Sequence, residues 1–426
     1  MSATKPRRKC QQVPVTCDCA SGCSTLSEAS SQLFIKLAHR TLSHVKQSAH
    51  QHFSMSNSKL FEPITVGDMH LKHRVVLAPL TRYRADDQHV PLPLVEEYYV
   101  QRGSVPGTLL ITEATPIVAK AGGYKNIPGI WSDEQIRAWK KITDAVHAEG
   151  SFIFMQLWGM GRAADSNFLA QQGLDYVAPS PIALADRKNS PTPRALTIPE
   201  IQEYIELYGQ AAHNAVHLAG FDGVEVHGAN GYLVDQFLQD VSNHRDDDYG
   251  GSIEKRARFG LEVMDSIVKR VGARKAAIRL SPWTTIQGMG MADPIPTFSY
   301  FVKTLGERHP ELAYLHVVEP RANGVVTVEK KEGQSNDFIR EIWSPKVLIS
   351  AGGYDRNLAI QMADEKGDVI GFGRFFISNP DLPLRLKNGW PVEKGDRRKY
   401  YRPGSVDPDG YTSYPFFAPA VETSRL

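Results

Sequence analysis

The chain has 426 residues, 42% of them apolar, and a formal net charge of +2 at pH 7. This length suits one large domain or two ordinary ones, and the apolar share suits a sizeable buried core. The near-neutral balance gives no footing for a nucleic acid; no apolar run is long enough to span a bilayer, and no apolar stretch of the secretory kind follows the N-terminus.

Residues 1–58 form a tail distinct from the body of the chain. Residues 1–54 hold Lys5, Arg7, Arg8, Lys9, Lys36, Arg40 and Lys46 against Asp18 and Glu28, so this segment carries +5 and the remainder −3. Phe34, Ala38, Leu42 and Val45 share one helical face among basic residues. Such a segment can be a mitochondrial presequence or a disordered extension. Met55-Ser-Asn-Ser-Lys is also a plausible start of translation. The expectation is a dispensable tail on a cytoplasmic protein, mitochondrial if the tail is a presequence. All four cysteines, Cys10, Cys17, Cys19 and Cys23, lie here. A body without cysteine points to a reducing compartment. The cluster matches no common zinc spacing and is taken as incidental.

Residues 59–426 follow another rhythm. Short apolar runs alternate with amphipathic stretches, the pattern of βα units around a parallel sheet. Strands are expected at Val75–Ala78, Leu109–Thr112, Phe152–Leu157, Gly223–His227, Ala277–Leu280, Leu315–Val318, Val347–Ala351 and Val369–Phe372. Eight such repeats in roughly 330 residues predict an α/β fold closed as a (β/α)8 TIM barrel. Residues 159–196, rich in Pro, Ala, Asp and Ser, are an expected insertion after the third strand, a loop or cap beside the active site. Thr197-Ile-Pro-Glu200 is a capping box opening a helix that runs towards Gly220. Ser252 caps another that runs to about Gly272.

In this fold the active site lies at the C-terminal ends of the strands. Polar groups or glycines stand at six of them: Pro79-Leu80-Thr81, Gln156 with Trp158, His227 with Asn230 and Tyr232, Arg279, Gly352-Gly353, and Gly373-Arg374. Singly, each has an ordinary structural reading, such as a satisfied core histidine, an ion pair or a turn glycine. Together they converge on one mouth. Glycine turns after the last two strands, with Arg374, suit a phosphate monoester. No strand–GxGxxG–helix unit is present; Gly288-Met-Gly290 lacks the third glycine.

At these residues the sequence resembles the old yellow enzyme family, over roughly Leu60 to Phe416. Its most specific stretches are Ala-Pro-Leu-Thr-Arg-Tyr-Arg-Ala (78–85), the block from His227 to Phe259, and Gly-Phe-Gly-Arg-Phe-Phe-Ile-Ser-Asn-Pro-Asp-Leu (371–382). The resemblance implies an FMN-dependent barrel that uses NAD(P)H to reduce electron-poor C=C bonds. It implies that Pro79, Leu80, Thr81 and Ala114 contact the flavin ring and that Gln156 and Arg279 bind its pyrimidine edge. Gly352, Gly353, Gly373 and Arg374 match the FMN phosphate loops. His227 and Asn230 match the pair that bonds the carbonyl oxygen of an α,β-unsaturated aldehyde or ketone. Tyr232 matches the proton donor, opposite hydride delivery from flavin N5, and Trp158 and Tyr401 match residues lining the substrate space. Variant positions resemble fungal branches, including ergot-alkaloid aldehyde reductases of secondary metabolism. In that branch Phe at the Tyr232 position shifts the outcome to isomerisation, so Tyr argues for a reductase. The family leans to NADPH as reductant.

Other readings are a flavin barrel acting on another substrate class, amine-dehydrogenase-like or reducing quinones or nitro groups, and a non-catalytic ligand-binding barrel. The amine-oxidising type usually adds an iron–sulfur cluster, and no cysteine follows Cys23. An aldolase-type barrel would want a Schiff-base lysine or a metal-binding carboxylate cluster at the strand ends. The physiological alkene, and whether the protein is a monomer or homodimer, stay open.

Overall fold

The computed structural model describes residues 57–418, apart from 185, 186, 188, 189 and 325. The tail with its cysteines, its helical face and the alternative start at Met55 lie outside the described residues, Asn57 and Ser58 excepted. Ser58 caps the turn Lys59–Phe61 and donates to Asp364 (2.8 Å).

Eight parallel strands form the barrel: β1 (Val75–Leu77), β2 (Leu109–Ile111), β3 (Phe152–Trp158), β4 (Gly223–Gly228), β5 (Ala276–Leu280), β6 (Tyr314–Val318), β7 (Leu348–Ala351) and β8 (Val369–Phe372). Each pairs with the next, and β8 returns to β1 with Ile370 opposite Val75, closing the sheet. All eight expected strands occur, with ends displaced by no more than one residue. Their runs of Val, Ile, Leu and Phe suit strands covered on both faces.

The outer layer comprises α1 (Leu94–Gly103), α2 (Asp133–Ala148), α3 (Ile198–His213), α4 (Ile253–Val271), α5 (Ile295–Arg308), α6 (Asp337–Trp343), α7 (Arg356–Lys366) and α8 (Leu382–Asn388). Thr197 and Glu200 form the expected reciprocal box at the start of α3, and Ser252 accepts from Lys255 N at the start of α4. Towards Gly220 the helical path widens into a π turn over Asn214–Leu218, where the buried Asn214 amide donates to Ile130 O (2.9 Å). Among the described residues no helix is long and apolar enough to cross a membrane.

Side chains alternate along a strand, so every second residue enters the barrel. The lower interior is apolar. Val76, Leu109, Ile111, Phe154, Ala277, Tyr314, Ile349 and Val369 meet Val66, Met69 and Leu71 from the antiparallel hairpin Ile64–Val66/Met69–Leu71. This floor fills the lower end of the barrel interior. The segment 159–196 holds a helix, Ser166–Gln171, and its Met160, Ala164 and Leu169 pack with Ala114 and Trp158 at the mouth.

Phe154 is fully buried with its ring 5.4 Å from that of Tyr314. Phe154→Ala should destabilise the barrel by about 3–5 kcal/mol, read as a lower denaturation midpoint.

Candidate active site

A cavity of about 620 Å³ opens at the C-terminal ends of the strands. Every residue singled out from the sequence lines it. Pro79, Leu80 and Thr81 follow β1, and Ala114 follows β2. Gln156 and Trp158 lie on β3, His227 on β4 with Asn230 and Tyr232 just beyond, and Arg279 on β5. Gly352 and Gly353 follow β7, Gly373 and Arg374 follow β8, and Tyr401 comes from the C-terminal segment.

One wall is built from backbone. Gly352 and Gly353 have φ of +126° and +66°, and a Cβ on Gly352 would come within 2.7 Å of the Ala322 side chain. Backbone N–H groups in such conformations make an anion-binding concavity. Arg374 stands beside them and donates to Thr327 Oγ1 (3.0 Å). Thr327 belongs to a hairpin, Ala322–Asn323 with Val326–Thr327, that the sequence pattern does not announce. Arg321, likewise unmarked in the sequence, lies over the Tyr354 ring at 4.3 Å and against Gly353, with Nε and Nη2 buried and unpaired.

A second wall is charged. Arg279 is half-buried, and its Nε is enclosed without a hydrogen-bond partner. Gln156 Nε2 donates to Glu225 Oε1 (2.7 Å), and His316 Nδ1 meets Glu225 Oε2 (2.8 Å). Burial works to raise the Glu225 carboxyl, but His316, Arg279 and Gln156 outweigh it and hold it below the usual range. Burial holds His316 below its ordinary value, and the neighbouring Arg279 adds to this. His227 is held well below its own value by burial, then by Arg279 and His316, so it is neutral at pH 7.

A third wall is aromatic: Trp158, Tyr232 and Tyr401 line the cavity, and Tyr83 and Tyr124, outside its lining, link them. Ring contacts run from Tyr401 to Tyr83 (6.5 Å), Tyr83 to Tyr124 (6.3 Å), Tyr124 to Trp158 (6.3 Å), Trp158 to Tyr232 (4.8 Å) and Tyr232 to His227 (4.6 Å), all edge-on except the tilted Tyr124–Trp158 pair. Arg187 holds Tyr124 by a bond to its hydroxyl (2.9 Å). Burial raises the Tyr232 phenol well above its ordinary value, with Tyr124 and Tyr83 adding to it. Asn230 adopts a left-handed φ of 57°, fixed by its N–H to Ser281 Oγ (2.7 Å) and its carbonyl to Gln287 Nε2 (2.8 Å). Gln287, Tyr83 and Tyr124 received no role from the sequence. Tyr83 stood inside a quoted motif; the other two carried no local signal.

Long-range ties hold these walls. Buried Glu113 accepts from Arg82 N (2.9 Å) and Tyr83 N (3.2 Å), joining the loop after β1 to the one after β2, and burial raises its carboxyl to about 7. Arg82 donates to Gly410 O (2.8 Å) and Arg102 to Tyr411 O (3.1 Å), and both guanidinium groups lie over the Tyr98 ring. These bonds seat the C-terminal segment that presents Tyr401.

The residues present fit FMN. A glycine concavity with Arg374 suits its phosphate, and Gln156 and Arg279 offer polar groups to a heterocycle edge. Trp158 Nε1, His227 Nδ1 and Asn230 Oδ1 are buried polar atoms lacking any partner in the protein, a costly state unless a ligand pairs with them.

Comparison with known proteins agrees. A profile of the NADH:flavin oxidoreductase / NADH oxidase family matches residues 59–393. The chain is similar to the chanoclavine-I aldehyde reductase fgaOx3 of Penicillium roqueforti, 51% identical over 86% of this chain and 100% of that protein. It is similar to the NADP-dependent oxidoreductase lnbE of Aspergillus flavus, 49% identical over 86% of this chain and 98% of the other. Among solved structures, Old Yellow Enzyme from Pichia sp. AKU4542 superposes with a TM-score of 0.78 at 40% identity, covering 85% of this chain and 94% of that one. The chain therefore belongs to the NADH:flavin oxidoreductase / NADH oxidase family, as an FMN-dependent oxidoreductase of the old yellow enzyme type that takes its electrons from a nicotinamide nucleotide.

Proposed function

We propose that the protein reduces the activated C=C bond of an α,β-unsaturated aldehyde or ketone, with NADPH as reductant. The observation that carries this reading is the meeting of His227, Asn230 and Tyr232 on one cavity wall, with His227 Nδ1 and Asn230 Oδ1 buried and unpaired. The name of the Penicillium relative, an aldehyde reductase, points to the same carbonyl class.

In this reading Gly352, Gly353, Gly373 and Arg374 hold the FMN phosphate. Gln156 and Arg279 hold the pyrimidine edge, and Pro79, Leu80, Thr81 and Ala114 hold the ring. Bound FMN, reduced by NADPH, supplies the hydride. Neutral His227 donates a ring N–H to the substrate carbonyl oxygen, and a half-turn of the Asn230 amide adds its NH2. Two fixed donors polarise the conjugated bond and stabilise negative charge as it develops on that oxygen; one such donor is typically worth about 10²–10³ in rate. Tyr232 holds the proton for the α-carbon. The arc from Tyr401 to Trp158 shields the site from water and gives a flat substrate apolar faces to pack on.

The decisive experiment reduces the purified protein with NADPH under anaerobic conditions, adds 2-cyclohexenone and follows the visible flavin band. Bleaching followed by recovery of colour is expected; a band that stays bleached would remove the enone class. Tyr232→Phe should keep FMN and NADPH oxidation while alkene reduction falls by about 10²–10⁴, separated by timing each half-reaction.

The acid form of Tyr232 is the active one, and its pKa is raised, so that form persists up to and beyond the ordinary tyrosine range near about 10. The alkene step should therefore stay flat to pH 9 in rapid-mixing measurements. A descending limb below pH 9 that disappears in Tyr232→Phe would contradict the assignment. Arg374→Ala should weaken FMN binding, seen as loss of flavin on gel filtration; full retention would count against the phosphate placement.

A further inference from the structure

Glu225 takes no part in the proposed chemistry, yet it occupies the centre of the barrel. It lies two residues before His227 on β4 and enters the interior from the same face. It stands in register with Gln156 on β3, while Arg279 on β5 stands in register with both His227 and His316. Glu225 and His316 have no solvent exposure, and Gln156 has 1%.

An ionised carboxylate only accepts hydrogen bonds. Gln156 and His316, which are hydrogen-bonded to Glu225, must therefore donate. His316 must carry its proton on Nδ1, and Gln156 must turn its NH2 towards Glu225, leaving its own carbonyl oxygen for the cavity. The pyrimidine edge of a flavin presents an N–H between two carbonyl oxygens. A carbonyl from Gln156 complements that N–H, whereas an inverted amide would set donor against donor. The Arg279 side chain makes no hydrogen bond within the described residues, so Glu225 acts on it through space, as a buried negative charge close to a positive one.

We propose that Glu225 is a positioning residue for the cofactor: it locks Gln156 as an acceptor for the flavin N–H and offsets the charge of Arg279, keeping the flavin reduction potential low. This rests on the placement of the pyrimidine edge at Gln156 and Arg279. A buried ion cluster that served packing alone would leave the potential untouched.

The test is Glu225→Gln, which keeps the shape, removes the charge and frees the Gln156 amide to invert. FMN affinity is read by quenching of free FMN fluorescence, and the midpoint potential by equilibration with a reference dye. Oxidised FMN should bind about tenfold more weakly, with reduced FMN, the more negative form, held as tightly as before. That ratio corresponds to a midpoint higher by about 30 mV for a two-electron couple. A folded E225Q protein with an unchanged or lower midpoint overturns the proposal. Glu225→Asp keeps the charge and shortens the reach, and decides the question if E225Q does not fold. It should lose FMN affinity at an unchanged midpoint, and undiminished affinity overturns the positioning role. Arg279→Met reports on the underlying placement and should lower the midpoint. If R279M leaves affinity and midpoint unaltered, the pyrimidine-edge placement fails and the proposal with it. If R279M shifts them and E225Q does not, Glu225 alone loses its role.

Discussion

Closure of the eight strands governs everything else in this protein. Once β8 pairs with β1, each strand must send alternate side chains into a space that water cannot fill. The lower layers are apolar and sealed by the hairpin at Ile64–Leu71, so polar inward residues survive only towards the open end. Gln156, Glu225, His227, Arg279 and His316 all come from this inward set. Their convergence follows from strand register and needs no long loop to arrange it.

The cost of that convergence is electrostatic. Glu225 sits where a lone charge would be strongly disfavoured, and the charge of Arg279 offsets it through space. Around Glu225 the donors prevail over burial and the carboxylate stays ionised; at His227 burial prevails and the imidazole stays neutral. Two titratable groups on one strand of the same barrel thus take opposite states, each suited to its place. The unpaired atoms at the mouth, on Trp158, His227 and Asn230, mark where the protein leaves hydrogen bonding to its ligands.

The mouth itself is assembled from segments far apart in the chain. Glu113 ties the first two loops together, Arg187 from the segment after β3 holds Tyr124, and Arg82 and Arg102 seat the C-terminal segment through backbone carbonyls at Gly410 and Tyr411. A rigid barrel thereby carries a rim whose parts can vary in length without moving the residues on the strands.

The sequence by itself determined the barrel, its eight strands to within a residue, two helix starts and the residues at the strand ends. These are local properties: short continuous apolar runs, capping chemistry and short dense motifs all lie within a few residues of one another. Tertiary structure alone decided that Glu225 faces Gln156 and His316, that Tyr83 and Tyr124 join the aromatic arc, and that a hairpin carries Thr327 to Arg374. The hydrogen-bonded pairings among these span 47 to 91 residues. Glu225 looks like any polar residue in a strand until its neighbours in the closed sheet are known, and aromatic side chains that meet across loops carry no periodicity to announce them. The hydrophobic pattern specified where the strands run; only closure of the barrel specified which side chains turn inward and what they meet there.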